Sequence, residues 1–182
     1  MVDDARKPSE AMVSAFRGCV GEFATGVAVV TAEHDGVAAG MTLNSFTSVS
    51  LEPLLVLVSL AHGSRTLHAT RPSERFAVSI LGRRQTDVAL DFSEPWAPFP
   101  VSHVERDREG FLFVTGAVAV LRCHVERMQE AGDHTLVLGE VISITHGGGE
   151  PLLFHRGRFG GFDVDATVPA GHPISIEEGF GW

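Results

Sequence analysis

From Gly26 onward the helical repeat disappears from this chain, and nothing else limits its fold as much. Residues 27–31 are rich in valine, His34-Asp35-Gly36 supplies a turn, and residues 37–43 lead back. β-Branched side chains fit a pleated, half-buried surface, and Asp-Gly between two such runs is a strong hairpin signal. Residues 54–60 and 76–81 read as further strands, 111–127 and 135–145 as two long ones, and 151–154 and 158–162 as two short ones. The helical signals are short. Ser9 is a candidate N-cap, with Glu10 in the first turn where the helix dipole favours a carboxylate. Met12, Phe16, Cys19, Val20 and Phe23 follow at helical spacing. Residues 64–70 form a second short helix, which Arg71-Pro72 should end because the residue before proline disfavours the α region. Residues 85–92 form a third. This balance predicts a mostly β fold, an antiparallel barrel closed to protect its strand edges.

With 182 residues the chain has room for one domain with a full core and not for two typical ones. It divides into a lead-in over 1–8 that is expected to be disordered, a body over 9–163, and a tail over 164–182 that carries Phe180 and Trp182 near its end. Within the body, residues 93–110 hold Pro95, Pro98 and Pro100 among mixed charges. They read as a long surface loop of the kind that serves as a lid or a partner contact.

A net charge of −9 without any basic run argues against nucleic acid, whose binding surfaces need clustered Lys and Arg. Cys19 and Cys123 stand far apart, which suits neither a zinc site nor a disulfide scaffold. The N-terminus lacks the apolar core of a signal peptide, and the longest apolar runs are too short to span a bilayer. A cytoplasmic protein with no membrane partner is the expectation.

Common nucleotide and hydrolase motifs are absent: no G-x-G-x-x-G, no P-loop, no G-x-S-x-G and no H-E-x-x-H. Three local features carry chemistry instead. Residues 40–50 hold five hydroxyl side chains and Asn44 between apolar runs; their hydroxyls and N–H groups can serve an acceptor-rich planar ring, or simply satisfy their own backbone. Ser59-Leu60-Ala61-His62-Gly63-Ser64-Arg65-Thr66 follows an apolar strand and opens a helix, where amides and an arginine bind phosphate, although Ser64 can equally be a plain N-cap. Gly132-Asp133-His134-Thr135 puts an imidazole at a strand entry beside a carboxylate, suited to holding a ligand amide or a proton near neutral pH or to nothing beyond the surface. The other histidines are scattered, and no metal is expected.

In chain order, Phe16-Arg17, Phe23-Ala24-Thr25-Gly26-Val27, Gly40-Met41-Thr42-Leu43-Asn44-Ser45-Phe46, Ser48-Val49-Ser50, Pro53-Leu54-Leu55-Val56, Gly132-Asp133-His134-Thr135, Gly139-Glu140-Val141 and Pro151-Leu152-Leu153-Phe154 resemble the short-chain flavin reductase family. These are the reductase components of two-component flavin-dependent monooxygenases. The resemblance covers residues 14–162 and implies an FMN-binding split β-barrel of Greek-key topology, working as a homodimer. It implies that NADH, or NADPH, reduces free FAD or FMN, which is released to a reduced-flavin-dependent oxygenase component. On the matching positions, Thr42, Leu43, Asn44, Ser45, Ser48 and Val49 would meet the flavin ring and ribityl chain. Ser59, Leu60, Ala61, Ser64, Arg65 and Thr66 would meet phosphate, and Phe92 would contact the flavin. His134 matches the histidine that contacts the nicotinamide nucleotide and is the one candidate catalytic side chain. The family often has a tyrosine near its last strand; this chain has no Tyr, and Phe154 and Phe159 occupy that region, beside the expected nicotinamide. Two rivals remain: a pyridoxamine-phosphate-oxidase-like FMN enzyme, whose basic cluster the sparse Lys and Arg do not supply, and a flavin- or haem-binding barrel without turnover.

Overall fold

The computed structural model describes residues 7–162, so the expectations for residues 1–6 and for the 164–182 tail concern chain outside the described residues. Helix α1 (Glu10–Val20) starts where the Ser9 hydroxyl accepts a hydrogen bond from Met12 N–H at 3.2 Å. None of its residues is buried. Its apolar stripe continues into Phe23, and Phe16 and Phe23 are 65% and 78% exposed.

The rest of the chain runs β1 (Thr25–Gly26), β2 (Ala28–His34), β3 (Val37–Leu43), β4 (Thr47–Leu51), β5 (Leu54–Ala61), α2 (Arg65–Ser73), β6 (Arg75–Ile80), α3 (Thr86–Asp91), β7 (Val104–Arg106), β8 (Leu112–Val114), β9 (Ala119–Ala131), β10 (His134–His146), β11 (Leu153–His155) and β12 (Arg158–Gly160). The fold is mostly β with few helices. Asp35 and Gly36, at φ 49° and 76°, give the β2–β3 hairpin the doubly left-handed turn that matches strand twist. An antiparallel seven-stranded sheet runs β3-β2-β6-β9-β10-β5-β4. Its two edge strands are consecutive in the chain, yet no ladder joins them among the described residues. The sheet is therefore open by hydrogen bonding where a closed barrel was expected. The outer edge of β3 is engaged elsewhere: Thr42 N–H donates to Phe92 O at 3.0 Å, at the end of α3.

Alternation along β2 feeds two cores. Ala28, Val30 and Ala32 join Val58, Leu60, Phe76, Val78, Val137 and Leu67 of α2 on one side. Val27 and Val29 join Leu81, Val88, Phe92, Val114 and Leu152 on the other. A strand buried on both faces must be apolar throughout, which explains why residues 27–30 show no polar alternation.

Three further expectations need correction. Residues 111–127 are not one strand, because Gly116 at φ +70° turns the chain between β8 and β9. Residues 93–110 are not a plain loop, since they contain β7, which pairs with β8. The turn between that pair is fastened by Asp107, whose Oδ1 accepts from Glu109 N–H and Phe111 N–H at 3.0 and 2.9 Å and whose Oδ2 accepts from Arg122 Nε–H. Arg122 is buried, lies 5.0 Å over the Phe113 ring and donates to Thr145 Oγ1 at 3.0 Å. Burial raises the Asp107 carboxyl, but the Arg122 hydrogen bond and the two amides outweigh it and hold the group below its ordinary range. Its stabilisation is present at neutral pH and is lost as acid protonates it. Finally, α2 runs past Pro72 to Ser73. A proline this close to the end removes one backbone bond, and Ser73 Oγ–H donates to Ala69 O at 2.7 Å in the same turn.

No helix among the described residues is long and apolar enough to cross a membrane. Cys19 is exposed, whereas Cys123 is buried and burial pushes its thiol up to about 12. At mildly alkaline pH a thiol reagent should modify one cysteine quickly in the folded protein and both after unfolding. Rapid modification of both would contradict the packing of β9.

Candidate active site

The end of β3, its connection to β4 and the entry to α2 border three depressions that share wall residues. One, of about 200 Å³, is lined by Val27, Thr42, Leu43, Asn44, Ser93, Phe154 and Phe159. A second, of about 460 Å³, adjoins it at Val27 and Asn44 and includes the 23–28 segment. The third, of about 220 Å³, adjoins it at Thr42 and Ser93 and is walled by Ala61, Gly63, Ser64, Arg65, Thr66, Phe92 and Trp96. Together they form a groove bringing the 40–50 and 59–66 segments, separate in sequence, onto one surface.

Several expected donors are already engaged within the protein. Thr42 Oγ1–H donates to Ala89 O at 2.7 Å, and Ser45 Oγ donates to Ser59 O and accepts from Ser59 N–H, both at 3.2 Å. These hydroxyls fasten β3 to α3 and the β3–β4 connection to β5. Asn44 is exposed and lines two of the depressions. Ser48 points instead to an apolar sheet face with Leu51 and Leu54, Val49 is exposed on edge strand β4, and Leu60 is wholly inside the core.

At α2 the local chemistry suits an anion. Ser64 is the N-cap, its Oγ accepting from Leu67 N–H at 3.2 Å while its carbonyl takes His68 N–H. That leaves the Arg65 and Thr66 amides for a ligand at the positive end of a helix dipole. Arg65 donates through Nη2 to Ala97 O at 2.6 Å, and the guanidinium keeps further N–H donors. Phe92 is buried and meets Phe99 edge-on at 5.6 Å. It fits because Gly40 lacks a side chain: a Cβ there would lie 2.7 Å from Phe92 Cε1.

His134 opens β10 opposite Ala61, and lines none of the three depressions. Its Nδ1 lies 2.7 Å from Asp133 Oδ1, and that hydrogen bond holds the Asp133 carboxyl below its usual range. Beside it, Glu130 accepts from Arg71 and pairs with His62, both at 2.6 Å. The Phe154 and Phe159 rings pack at 5.4 Å on the β11–β12 hairpin.

Residues 20–163 match the model of the flavin reductase like domain. The chain belongs to that family. The flavin reductase-like chain is 40% identical over 147 residues to the FMN reductase (NADH) SmoA of Agrobacterium fabrum, covering 81% of this chain and 84% of that one. It is 39% identical, over 81% of itself and 80% of the relative, to the reductase component of the 4-nitrophenol 4-monooxygenase/4-nitrocatechol 2-monooxygenase of Rhodococcus opacus. Among solved structures it resembles the NADH:FAD oxidoreductase SgcE6 of Streptomyces globisporus, with a TM-score of 0.80 and 37% identity over 89% of this chain and 99% of that one.

The groove of this flavin reductase-like chain fits a flavin. Apolar flanks from Val27, Phe154 and Phe159 suit a flat ring, the free Asn44 amide suits its polar edge, and the α2 amides suit a phosphate. Thr25 Oγ1, beside the groove, is buried without a hydrogen-bond partner among the described residues; such an orphan is rare in a folded protein. Thr25, Ser93 and Trp96 were not among the sequence-derived candidates. Thr25 lies in the family-like 23–27 segment, and Ser93 and Trp96 lie in the proline-rich 93–110 segment, where no local signal marks them.

Proposed function

We propose that this protein is an NAD(P)H:flavin oxidoreductase that reduces free FAD or FMN, with NADH the preferred donor, and passes reduced flavin to a separate oxygenase. The observation that carries this reading is the groove, in which ring-binding and phosphate-binding chemistry adjoin on a flavin reductase-like chain. The names of the relatives, two of them NADH-dependent reductases and one a reductase component of a monooxygenase, support the donor and the partner.

The chemistry supplied by the bound nucleotides is hydride transfer from nicotinamide C4 to flavin N5, which needs those atoms within about 3–3.5 Å. The chain's own task is to bind and orient. Asn44 and the amides near the β3–β4 connection would serve the ring's polar edge and favour charge developing there. Arg65 and the first amides of α2 hold the phosphate. Phe154 and Phe159 would flank the apolar side of the ring. Asp133 fixes the His134 imidazole through Nδ1, leaving Nε2 to orient the nicotinamide amide. His134→Ala should raise KM for NADH about 3- to 10-fold, the size of one neutral hydrogen bond, with a smaller change in kcat. Unaltered kinetics would remove His134 from the site.

A seven-stranded antiparallel sheet whose two edge strands are consecutive in the chain supports a split barrel. The exposed stripe of α1 and an apolar sheet face formed by Leu51, Leu54, Val141 and Ile144 support a homodimer, because contiguous apolar patches of this kind mark interfaces. Two unpaired cysteines support a reducing compartment such as the cytoplasm. In an anaerobic assay the purified protein should bleach added FAD or FMN while consuming NADH one for one. Flavin binding without NADH consumption would make it a binding module.

A further inference from the structure

Resting on the flavin reductase reading, we propose that Trp96 is the stacking platform for the adenine ring of FAD, and that it makes this protein discriminate FAD from FMN. Trp96 is 86% exposed, the most exposed large apolar side chain among the described residues. It is nonetheless part of a wall: it lines the same cavity as Ser64, Arg65 and Thr66. The segment that carries it is held at both ends. Arg65 Nη2–H donates to Ala97 O at 2.6 Å, Ala97 N–H donates to Glu94 O at 3.3 Å, and Phe99 packs against buried Phe92. An indole displayed on a tethered turn loses little freedom when a second ring stacks on it.

Charge decides which part of a ligand goes where. The cavity holds two ionisable side chains, Arg65 and Glu94. A phosphate belongs at Arg65 and the α2 amides, and the Glu94 carboxylate disfavours an anion on the 94–96 wall. What lies beyond the phosphate, against Glu94 and Trp96, is therefore an uncharged group. FMN ends at its phosphate and has nothing to put there. FAD continues through a second phosphate, which the Arg65 guanidinium and the α2 amides can also serve, into adenosine, whose ring offers a π-face to the indole and hydrogen-bond donors to the carboxylate.

The test compares Trp96→Ala and Trp96→Phe with the unaltered full-length protein, measuring dissociation constants for FAD and FMN by calorimetry and KM for NADH with each flavin. Base–aromatic stacking measured by alanine substitution corresponds to about 5- to 150-fold in affinity. The unaltered protein should bind FAD more tightly than FMN. Trp96→Ala should weaken FAD by about tenfold and FMN by far less, and Trp96→Phe should restore most of the loss. Equal effects on FAD and FMN, no effect on either, or a rise in KM for NADH with both flavins would overturn the assignment. Those outcomes are separable from failure of the flavin reductase reading, in which the unaltered protein would reduce neither flavin. So exposed a side chain supports little of the fold, and the thermal midpoint of each variant checks that it is intact.

Discussion

Phe76→Ala is expected to destabilise the protein by about 3–5 kcal/mol, the range for removing a large aromatic from a packed core. Phe76 is 1% exposed on β6, and its ring fills space that Gly139 on β10 leaves open. A Cβ on Gly139 would lie 2.7 Å from Phe76 Cε1, closer still to Cζ, and 3.0 Å from Cys123 Cβ. Deleting the ring therefore leaves a void facing a residue with no side chain to fill it. Gly139→Ala should also destabilise, by forcing the ring from its place, at about 1–3 kcal/mol. The two changes share one space, so their effects should not add: the double variant should be more stable than the sum of the single losses predicts. Denaturant unfolding measures all three. A loss below about 1 kcal/mol for Phe76→Ala would fall outside the core range and contradict this packing.

Arg65→Ala should weaken both FAD and FMN by about 10- to 100-fold, since a hydrogen bond to a charged group contributes about 1.5–3 kcal/mol. Riboflavin, which has no phosphate, should bind the variant nearly as well as the original. Arg65 also tethers Ala97, so loosening of the 93–97 segment contributes to the loss. Arg65→Lys separates the two contributions: it keeps a point charge for phosphate but cannot reproduce the planar fork, and should recover part of the FMN affinity. Equal weakening of FMN and riboflavin would mean that Arg65 acts on the ring and not on the phosphate.

What was legible in the sequence was local. Ser9 and Ser64 announce their helices as N-caps because capping is settled within three residues. Asp35-Gly36 announces its hairpin because only such a pair accepts two left-handed positions. The break between β8 and β9 was hidden, since apolar residues continue on both sides of Gly116 and only its backbone angle reveals the turn. The roles of the hydroxyls were hidden for another reason. Thr42 bonds to Ala89 and Ser45 to Ser59, partners 47 and 14 residues away, so the segment's polarity was visible but not what it would satisfy. Part of it faces the groove through Asn44, while part only ties strands together. Arg65 was readable as a candidate for phosphate from its place at a helix start, but its hold on the segment carrying Trp96 was not. Gly139 stood within a family motif, and its reason, the Phe76 ring, emerges only once β6 and β9 bring that ring beneath β10.

Flavin is expected to lie along the end of β3, with its phosphate at the start of α2, when it takes electrons from NADH. A crystal of the protein soaked with FAD tests this most directly. The tricyclic ring is expected between Asn44 and the Phe154–Phe159 pair, and the pyrophosphate on the Arg65 and Thr66 amides. A flavin bound elsewhere, in a preparation that still reduces it with NADH, would contradict the account.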